Sequence, residues 1–196
     1  MDLGKINKAN TKFLGKHILY FKEITSTQEI AKQMADEKLA NGSIVLTDFQ
    51  TQGKGTKDRK WLASKEKNIM MTLILYPHIN ISKLEGFTIK IAQAIQKAIY
   101  QLYGYELTIK QPNDLLLNGK KIAGILTQSV SQKEQVTNLY IGIGFNVNEI
   151  QFPEELQTIA TSLRKEFSKE FEREEIIAKI LEEVEKIIIK KDIYRE

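Results

Sequence analysis

Two glycines and four cationic residues are concentrated in one stretch of the chain, Gln50–Trp61 (QTQGKGTKDRKW). Gly53 and Gly55 can adopt backbone angles that other residues avoid, so their amide N–H groups can converge on an anion. Positive charge is added by four side chains: Lys54, Lys57, Arg59 and Lys60. The stretch suits a loop that binds a phosphate or a negatively charged intermediate. A solvated basic turn has the same composition and is the alternative interpretation.

A second polar group interrupts a predicted strand at Lys110–Asp114 (KQPND). Pro112 has no backbone donor, so the strand must stop or bulge there. Asn113 and Asp114 then project from a strand end. There Asp114 can hold a divalent metal or orient the amine or hydroxyl group of a ligand. A plain Asx turn between two strands is the alternative.

Lys121 begins an apolar strand (KIAGIL), so we expect its ammonium group to be partly desolvated. There it can pair with a carboxylate or phosphoryl oxygen as a point charge. Gly124 lies inside the same strand, and Gly142 and Gly144 lie inside another (YIGIGFNV). Glycine weakens a strand unless a ligand or another backbone must come close. These three glycines therefore predict a ligand against the face of the sheet.

Several chemistries are not supported by the sequence. The chain has no cysteine, which excludes disulfides and thiolate nucleophiles and fits a cytoplasmic protein. His17 and His78 have no neighbours at zinc-ligand spacing. No nucleophile elbow, Walker-type loop or dinucleotide glycine fingerprint is present. The net charge of +4 is too small to indicate nucleic-acid binding by itself. No apolar run approaches the roughly 20 residues of a membrane-spanning helix.

The elements that must position these residues are short strands and amphipathic helices. Strands are predicted at residues 17–21, 43–50, 68–77, 106–110 and 138–147, with a hairpin around Asn118-Gly119. Helices are predicted from the N-cap Ser26 to about residue 40, from Ser82 to Tyr103, and from Arg173 to about residue 189. We predict one α+β domain over residues 1–196, with helices on a mixed, mostly antiparallel sheet and residues 1–16 as an N-terminal leader.

The order of the motifs closely resembles the catalytic domain of biotin protein ligases, from about residue 17 to about residue 189. TSTQ precedes a helix, and QTQGKGTKDRKW, KQPND, KKIAGIL, GIGFNVN and TSLR follow in turn. The resemblance implies the fold of class II aminoacyl-tRNA synthetases, which lipoate ligases and octanoyltransferases share. It implies that biotin and ATP, with Mg²⁺, form biotinoyl-5′-AMP. The biotinoyl group then passes to a lysine of a biotin carboxyl carrier protein.

The resemblance also implies residue roles. Lys121 would neutralise the biotin carboxylate and then the charge at phosphorus, and Asp114 would orient the acceptor lysine or hold a metal. The implied catalytic residues are Lys121, Asp114, Lys54 and Arg59. The implied biotin-binding residues are Ser26, Thr27, Gln28, Gln50, Gly53, Gly55, Lys121 and Gly124. The implied nucleotide-binding residues are Lys54, Thr56, Trp61, Asn113, Asp114 and Asn146.

Four positions depart from the family pattern. Lys54 and Thr56 replace arginines, Asp58 replaces a glycine, and Gln111 replaces a tryptophan. Because Thr56 removes a cation from the loop, we expect biotinoyl-AMP to leak faster than in relatives. We expect the winged helix and the C-terminal β-barrel domain of relatives to be absent, and with them DNA binding; we also expect weaker nucleotide affinity and at most a weak homodimer. A lipoate or octanoate transferase of the same fold and a non-catalytic biotin-binding module are the alternatives.

Overall fold

A mixed sheet of eight strands forms the centre of the computed structural model, which describes residues 1–35, 39–57 and 59–194. Its strands run in the order β1-β2-β3-β8-β7-β6-β5, and β4 pairs with β8. Only the β1–β2 pair is parallel among the described strand pairs. The mostly antiparallel α+β fold is as predicted. The strands are β1 Ile18–Phe21, β2 Ile44–Thr47, β3 Ile69–Leu75, β4 Ile79–Asn80, β5 Thr108–Lys110, β6 Asp114–Leu117, β7 Lys120–Gln132 and β8 Gln135–Phe145.

The helices divide between the two faces of the sheet. Alternate residues of a strand point to opposite faces, so the buried strands β3 and β8 supply both. One face, with Leu73 and Phe145, joins the main core beneath the two long helices. The other face, with Ile74 and Tyr140, packs against α2. The helices are α1 Leu3–Ile6, α2 Thr27–Ala35, α3 Phe87–Tyr103, α4 Leu163–Phe167 and α5 Arg173–Lys190, with short 3₁₀ turns at Ile81–Leu84 and Glu154–Leu156.

The prediction of one continuous helix from Ser82 to Tyr103 is wrong. A 3₁₀ turn ends at Leu84, and α3 begins only at Phe87. Gly86 separates them because its φ of 65° is left-handed and does not continue a helix. The predicted stop at Gly104 is confirmed, with a φ of 73°. None of the helices within the described ranges combines the length and the apolarity needed to cross a membrane.

The first sixteen residues are part of the folded domain and not a leader ahead of it. Ile6 and Leu14 are buried in the main core. The carboxylate of Glu185 on α5 accepts three backbone N–H groups of this segment, from Lys12 at 2.7 Å, Phe13 at 3.0 Å and Leu14 at 2.9 Å. The sequence pattern did not reveal this docking because the acceptor lies more than 170 residues away along the chain.

Candidate active site

Two glycines lie side by side at the centre of a row of paired residues that crosses the α2 face of the sheet. The strand register pairs Met70 with Gly144, Gly144 with Gly124, and Gly124 with Asp114. The indole of Trp61 lies directly on the two glycines. A Cβ atom at Gly144 would stand 2.5 Å from Trp61 Cε2, and one at Gly124 would stand 3.2 Å from Trp61 Cζ3. The glycines are required because the loop places an aromatic ring there.

Gly142 lies on the same face, where a Cβ atom would stand 2.7 Å from Gln28 Oε1. The sequence predicted a ligand against these three glycines. The structure places side chains of the chain itself, Trp61 and Gln28, in direct contact with them. A ligand in this cleft therefore meets the loop and α2 as well as the sheet.

A β-bulge turns Lys121 toward the cleft. Leu115 pairs with Ala123 but Leu116 pairs with Lys121, so Ile122 is an extra residue in β7. One extra residue reverses the alternation of side chains, which puts Lys121 and Gly124 on the same face although they are three positions apart. Lys121 Nζ would lie 3.1 Å from a Cβ atom at Gly124.

Lys121 and Asp114 form a half-buried ion pair, with Nζ 2.7 Å from Oδ1 and side chains 31% and 16% exposed. The ammonium group also lies 5.8 Å from the centre of the Trp61 ring. Asp114 Oδ1 accepts no aligned hydrogen bond from the described residues. The pair is poorly screened from ligand charges because it sits between the sheet and the indole. The structure therefore brings together the predicted Lys121, Asp114 and Trp61.

The glycine-rich loop is closed by its own backbone. Gly55 N donates to Arg59 O at 2.7 Å, and Trp61 N donates to Gly53 O at 2.9 Å. Arg59 Nη2 donates to Thr56 Oγ1 at 2.8 Å, so this predicted catalytic cation is held on the loop and does not line the cleft. Asp58 lies outside the described residues.

Lys54 ties the loop to α2. Its Nζ donates to Glu29 Oε1 at 2.7 Å, and this hydrogen bond lowers the pKa of Glu29 below its usual range. Lys54 and Thr56 both line the cleft, as predicted. Gly53 packs against the backbone of Trp61, because a Cβ atom at Gly53 would stand 2.4 Å from Trp61 O.

A buried polar network forms one end of the cleft. Thr27 donates to Gln50 Oε1 from its backbone N at 2.7 Å and from Oγ1 at 3.1 Å. Because this amide oxygen is occupied, Gln50 retains its Nε2 group as a donor. Thr72 Oγ1 lies 3.1 Å from Gln28 Oε1, and Gln28 Nε2 donates to Gln128 Oε1 at 3.1 Å. Ser26 completes this end of the cleft lining.

Sequence reasoning missed Thr72, Gln128 and Glu149. One sequence feature pointed to Thr72: apart from Tyr76, it is the only residue with a hydroxyl group in the apolar run NIMMTLILYP. Glu149 is 5% exposed and accepts from Ser64 N at 2.8 Å and from Asn68 Nδ2 at 3.0 Å. Glu149 thereby holds Ser64, three residues after the glycine-rich loop ends at Trp61. No residue near Glu149 in the sequence indicated this contact.

Besides Asp114 Oδ1, which has the Lys121 ammonium group as its ion-pair partner, two buried polar atoms have no hydrogen-bond partner among the described residues: Trp61 Nε1 and Asn146 Oδ1. Asn146 Nδ2 donates to Thr161 O at 3.0 Å. This bond fixes the orientation of the side-chain amide, and its oxygen, Oδ1, has no partner in the part of the chain that the structure describes. Asn113 lines the cleft and donates from Nδ2 to Ile125 O at 3.1 Å. Buried polar groups are nearly always paired, so Trp61 Nε1 and Asn146 Oδ1 are positions where a ligand can bind.

The cleft contains a cavity of about 40 Å³, room for only a few water molecules, and is partly open to solvent. The described residues contain no group of three His, Cys, Asp or Glu side chains placed to hold a metal ion. Asp114 alone, already paired with Lys121, does not make a metal site.

Comparison with known proteins identifies the family of this chain. The sequence model of the Biotin/lipoate A/B protein ligase family matches residues 20–146. The chain is 36% identical over 186 residues to the bifunctional ligase/repressor BirA of Bacillus subtilis, covering 91% of this chain and 57% of that protein. It is 27% identical over 153 residues to the biotin–[acetyl-CoA-carboxylase] ligase of Mycobacterium tuberculosis, covering 76% of this chain and 55% of that protein. The chain thus spans little more than half the length of these relatives.

Solved structures show the same fold. The biotin protein ligase of Aquifex aeolicus in complex with biotin and ATP superposes with a TM-score of 0.76 at 27% identity, covering 89% of this chain and 71% of that chain. The Leishmania major enzyme in complex with biotinyl-5-AMP gives a TM-score of 0.74 at 23% identity, covering 89% of this chain and 76% of that chain. On both sequence and structure, the chain belongs to the biotin/lipoate A/B protein ligase family.

Proposed function

We propose that this chain joins biotin to ATP, forming biotinoyl-5′-AMP and pyrophosphate, and then transfers the biotinoyl group to a lysine of a biotin carboxyl carrier protein. The observation that carries the proposal is a single cleft. Lys121 and Trp61 line it together with the hydrogen-bonded pair Thr27 and Gln50. The similar Aquifex aeolicus protein binds biotin and ATP, which supports the same ligands here.

Charge neutralisation is the main task of the first step. The biotin carboxylate attacks the α-phosphorus, pyrophosphate leaves, and negative charge collects on the phosphoryl oxygens. The Lys121 ammonium group neutralises the carboxylate as it approaches and then the charge at phosphorus. The ion pair with Asp114 holds Nζ in place before the substrates arrive. The chain itself forms no covalent bond in this step.

The second step needs a neutral amine on the acceptor lysine, since only the unprotonated amine attacks the mixed anhydride. Asp114 is the carboxylate paired with Lys121 and is the candidate that orients or deprotonates this amine. The bond from the acyl carbon to the phosphate oxygen breaks, and AMP leaves. Trp61 covers the site and limits the access of water to the anhydride.

The polar end of the cleft favours biotin over a fatty acyl ligand. The ureido ring of biotin has one carbonyl acceptor and two N–H donors, which match the Gln50 Nε2 donor and the hydroxyl oxygens of Ser26 and Thr27. Octanoate or lipoate would offer no acceptor to the Gln50 Nε2 donor, which disfavours their binding. The lipoate or octanoate transferase alternative is therefore not favoured.

Mg²⁺ enters the proposal only with the nucleotide. Mg²⁺ in such sites is held by one or two carboxylates together with substrate phosphates. Asp114 is paired with Lys121, which leaves it a partial ligand at most. The acceptor carboxylase, cytoplasmic location and weak homodimer stay predictions.

The test is biotin-dependent exchange of labelled pyrophosphate into ATP, followed by biotinylation of a carrier domain read by its mass. Wild type should do both, and Lys121→Ala should lose most of the exchange. Lys120→Ala is the matched control, because it removes the neighbouring cation outside the cleft. Well-folded wild type that exchanges no pyrophosphate would instead support a non-catalytic biotin-binding module. Equal activity of Lys121→Ala and wild type would overturn the site assignment.

A further inference from the structure

The motif TSLR contains two buried polar residues that the proposed reaction does not use. Thr161 and Ser162 are both 0% exposed, in the turn before α4. Buried hydroxyl groups need hydrogen-bond partners. Their partners lead to Lys121, to Asn146 and to Ser64, which follows the glycine-rich loop.

The first connection is to the backbone of Lys121. Lys121 N donates to Ile159 O at 2.8 Å, and Thr161 N donates to Lys121 O at 2.9 Å. These two bonds form a parallel bridge between Lys121 and Ala160. The backbone N–H and C=O groups of Lys121 are therefore both hydrogen-bonded to the segment of residues 159–161. The position of Nζ in the cleft depends on this segment as well as on the bulge at Ile122.

The second connection runs through the Thr161 side chain and carbonyl. Thr161 O accepts from Asn146 Nδ2 at 3.0 Å, which fixes the amide whose oxygen is unpartnered. Thr161 Oγ1 donates to Glu166 Oε1 in a short hydrogen bond, which lowers the pKa of Glu166. Glu166 Oε2 accepts from Asn118 Nδ2 at 2.6 Å. Asn118 lies in the hairpin turn just before Lys121, so the lysine is braced from both sides.

The third connection reaches the glycine-rich loop. Ser162 Oγ donates to Glu149 O and accepts from Lys165 N at 3.0 Å as the N-cap of α4. The Glu149 carboxylate holds Ser64 at the end of the loop region. Hydrogen bonds of the adjacent residues Thr161 and Ser162 thus connect Lys121, Asn146 and the segment that follows the glycine-rich loop.

We propose that Thr161 is a positioning residue for adenylate formation, which sets the places of Lys121 and Asn146 through its backbone bridge and its hydrogen bond to Glu166. This inference rests on the proposed function. Thr161 touches no substrate in this arrangement. It acts only by fixing residues that do.

The test compares three variants. Thr161→Val keeps the shape and the backbone bonds but removes the hydroxyl group, and Thr161→Ser restores it. Thr88→Val is the matched control, because it removes a threonine hydrogen bond of 3.0 Å to Thr127 on the far side of the structure. We expect Thr161→Val to lower kcat for pyrophosphate exchange about 10- to 100-fold. KM for biotin should change less than about twofold, since the Thr27–Gln50 end is untouched. Thr161→Ser should recover most of kcat.

A second readout does not depend on activity. Trp61 is the single tryptophan of the chain, and its ring lies 5.8 Å from Lys121 Nζ. Its fluorescence therefore reports the position of this cation, and Lys121→Met calibrates the full loss of the charge. Thr161→Val should shift the emission toward that of Lys121→Met, whereas Thr88→Val should not. Glu166→Gln, which weakens the same brace, is the second variant if Thr161→Val folds poorly.

The outcomes separate the two proposals. Wild type without exchange overturns the proposed function, while the emission of Thr161→Val still decides the positioning role. Unchanged kcat and emission in a folded Thr161→Val protein overturn the positioning role alone. Equal losses in Thr161→Val and Thr88→Val, or a Thr161→Ser variant that recovers nothing, overturn it as well.

Discussion

Gly144→Ala tests the contact on which the cleft depends. The new Cβ atom would stand 2.5 Å from Trp61 Cε2, 2.6 Å from Cζ2 and 2.8 Å from Cδ2. Carbon atoms in contact are about 3.5–4.0 Å apart, so the indole must move by about 1 Å. The strand at Gly144 is paired on both edges, with β3 and with β7, so the loop that carries Trp61 is the part that yields.

The change should affect activity far more than folding. Alanine is favoured over glycine inside a strand by about 0.5–1 kcal/mol, and overpacking costs about 1–3 kcal/mol. We expect the free energy of unfolding to fall by no more than about 2 kcal/mol, as measured by urea denaturation. A displacement of about 1 Å at a reacting centre can cost about 100-fold in rate. We therefore expect kcat/KM for pyrophosphate exchange to fall about 100-fold.

Two controls isolate the clash with the indole. Gly142→Ala places its Cβ atom 2.7 Å from Gln28 Oε1 and should leave Trp61 fluorescence unchanged. In a Trp61→Ala background, Gly144→Ala should cost no further activity, because no ring remains to displace. The reasoning is refuted if Gly144→Ala leaves both Trp61 emission and exchange as in wild type, or if its full cost persists in the Trp61→Ala background.

Three further changes test other parts of the structure. Thr56→Arg should slow the release of biotinoyl-AMP in a filter-binding assay, and equal or faster release would contradict the expectation from the loop sequence. Glu185→Gln should lower the free energy of unfolding by about 1–3 kcal/mol, since one amide oxygen cannot accept three backbone N–H groups; Glu182→Gln, which needs to accept only one, is the control. Burial and the hydrogen bond to Asp48 raise the pKa of Tyr20 to about 12. As the pH rises, Tyr20 therefore loses its proton at a lower pH in the unfolded chain than in the folded one. The free energy of unfolding should fall from about pH 10 to pH 12. Tyr20→Phe should flatten that part of a denaturation–pH profile, and an unchanged slope would contradict it.

Local signals in the sequence predicted most of the fold. The hairpin at Asn118-Gly119 is present, with both residues at positive φ, because a two-residue turn of this kind needs that pair. The buried strand β3 and the stop at Gly104 follow from equally local rules. The break at Gly86 was missed because the apolar spacing of Leu84 and Phe87 fits a helix on either side of it.

The site was less predictable than the fold. Lys121 and Trp61 were found because their motifs are distinctive. The contact between them depends on the glycine-rich loop folding over β7 and β8, which the sequence did not show. The role of Glu149 could not be found, since its partners Ser64 and Asn68 lie about 80 positions earlier and carry no sign of it. The three glycines were predicted to face a ligand, and the structure places Trp61 against Gly124 and Gly144 and Gln28 against Gly142.

The row of glycines also determines where the cleft can adapt. A surface made of backbone has no side-chain torsions, so it loses no rotamer entropy when a ligand settles on it and offers no alternative rotamers for a differently shaped one. The entropic cost of closure therefore falls on the loop at Trp61. Directed evolution toward bulkier biotin analogues should accordingly select substitutions in the loop, while the two central strands stay as they are.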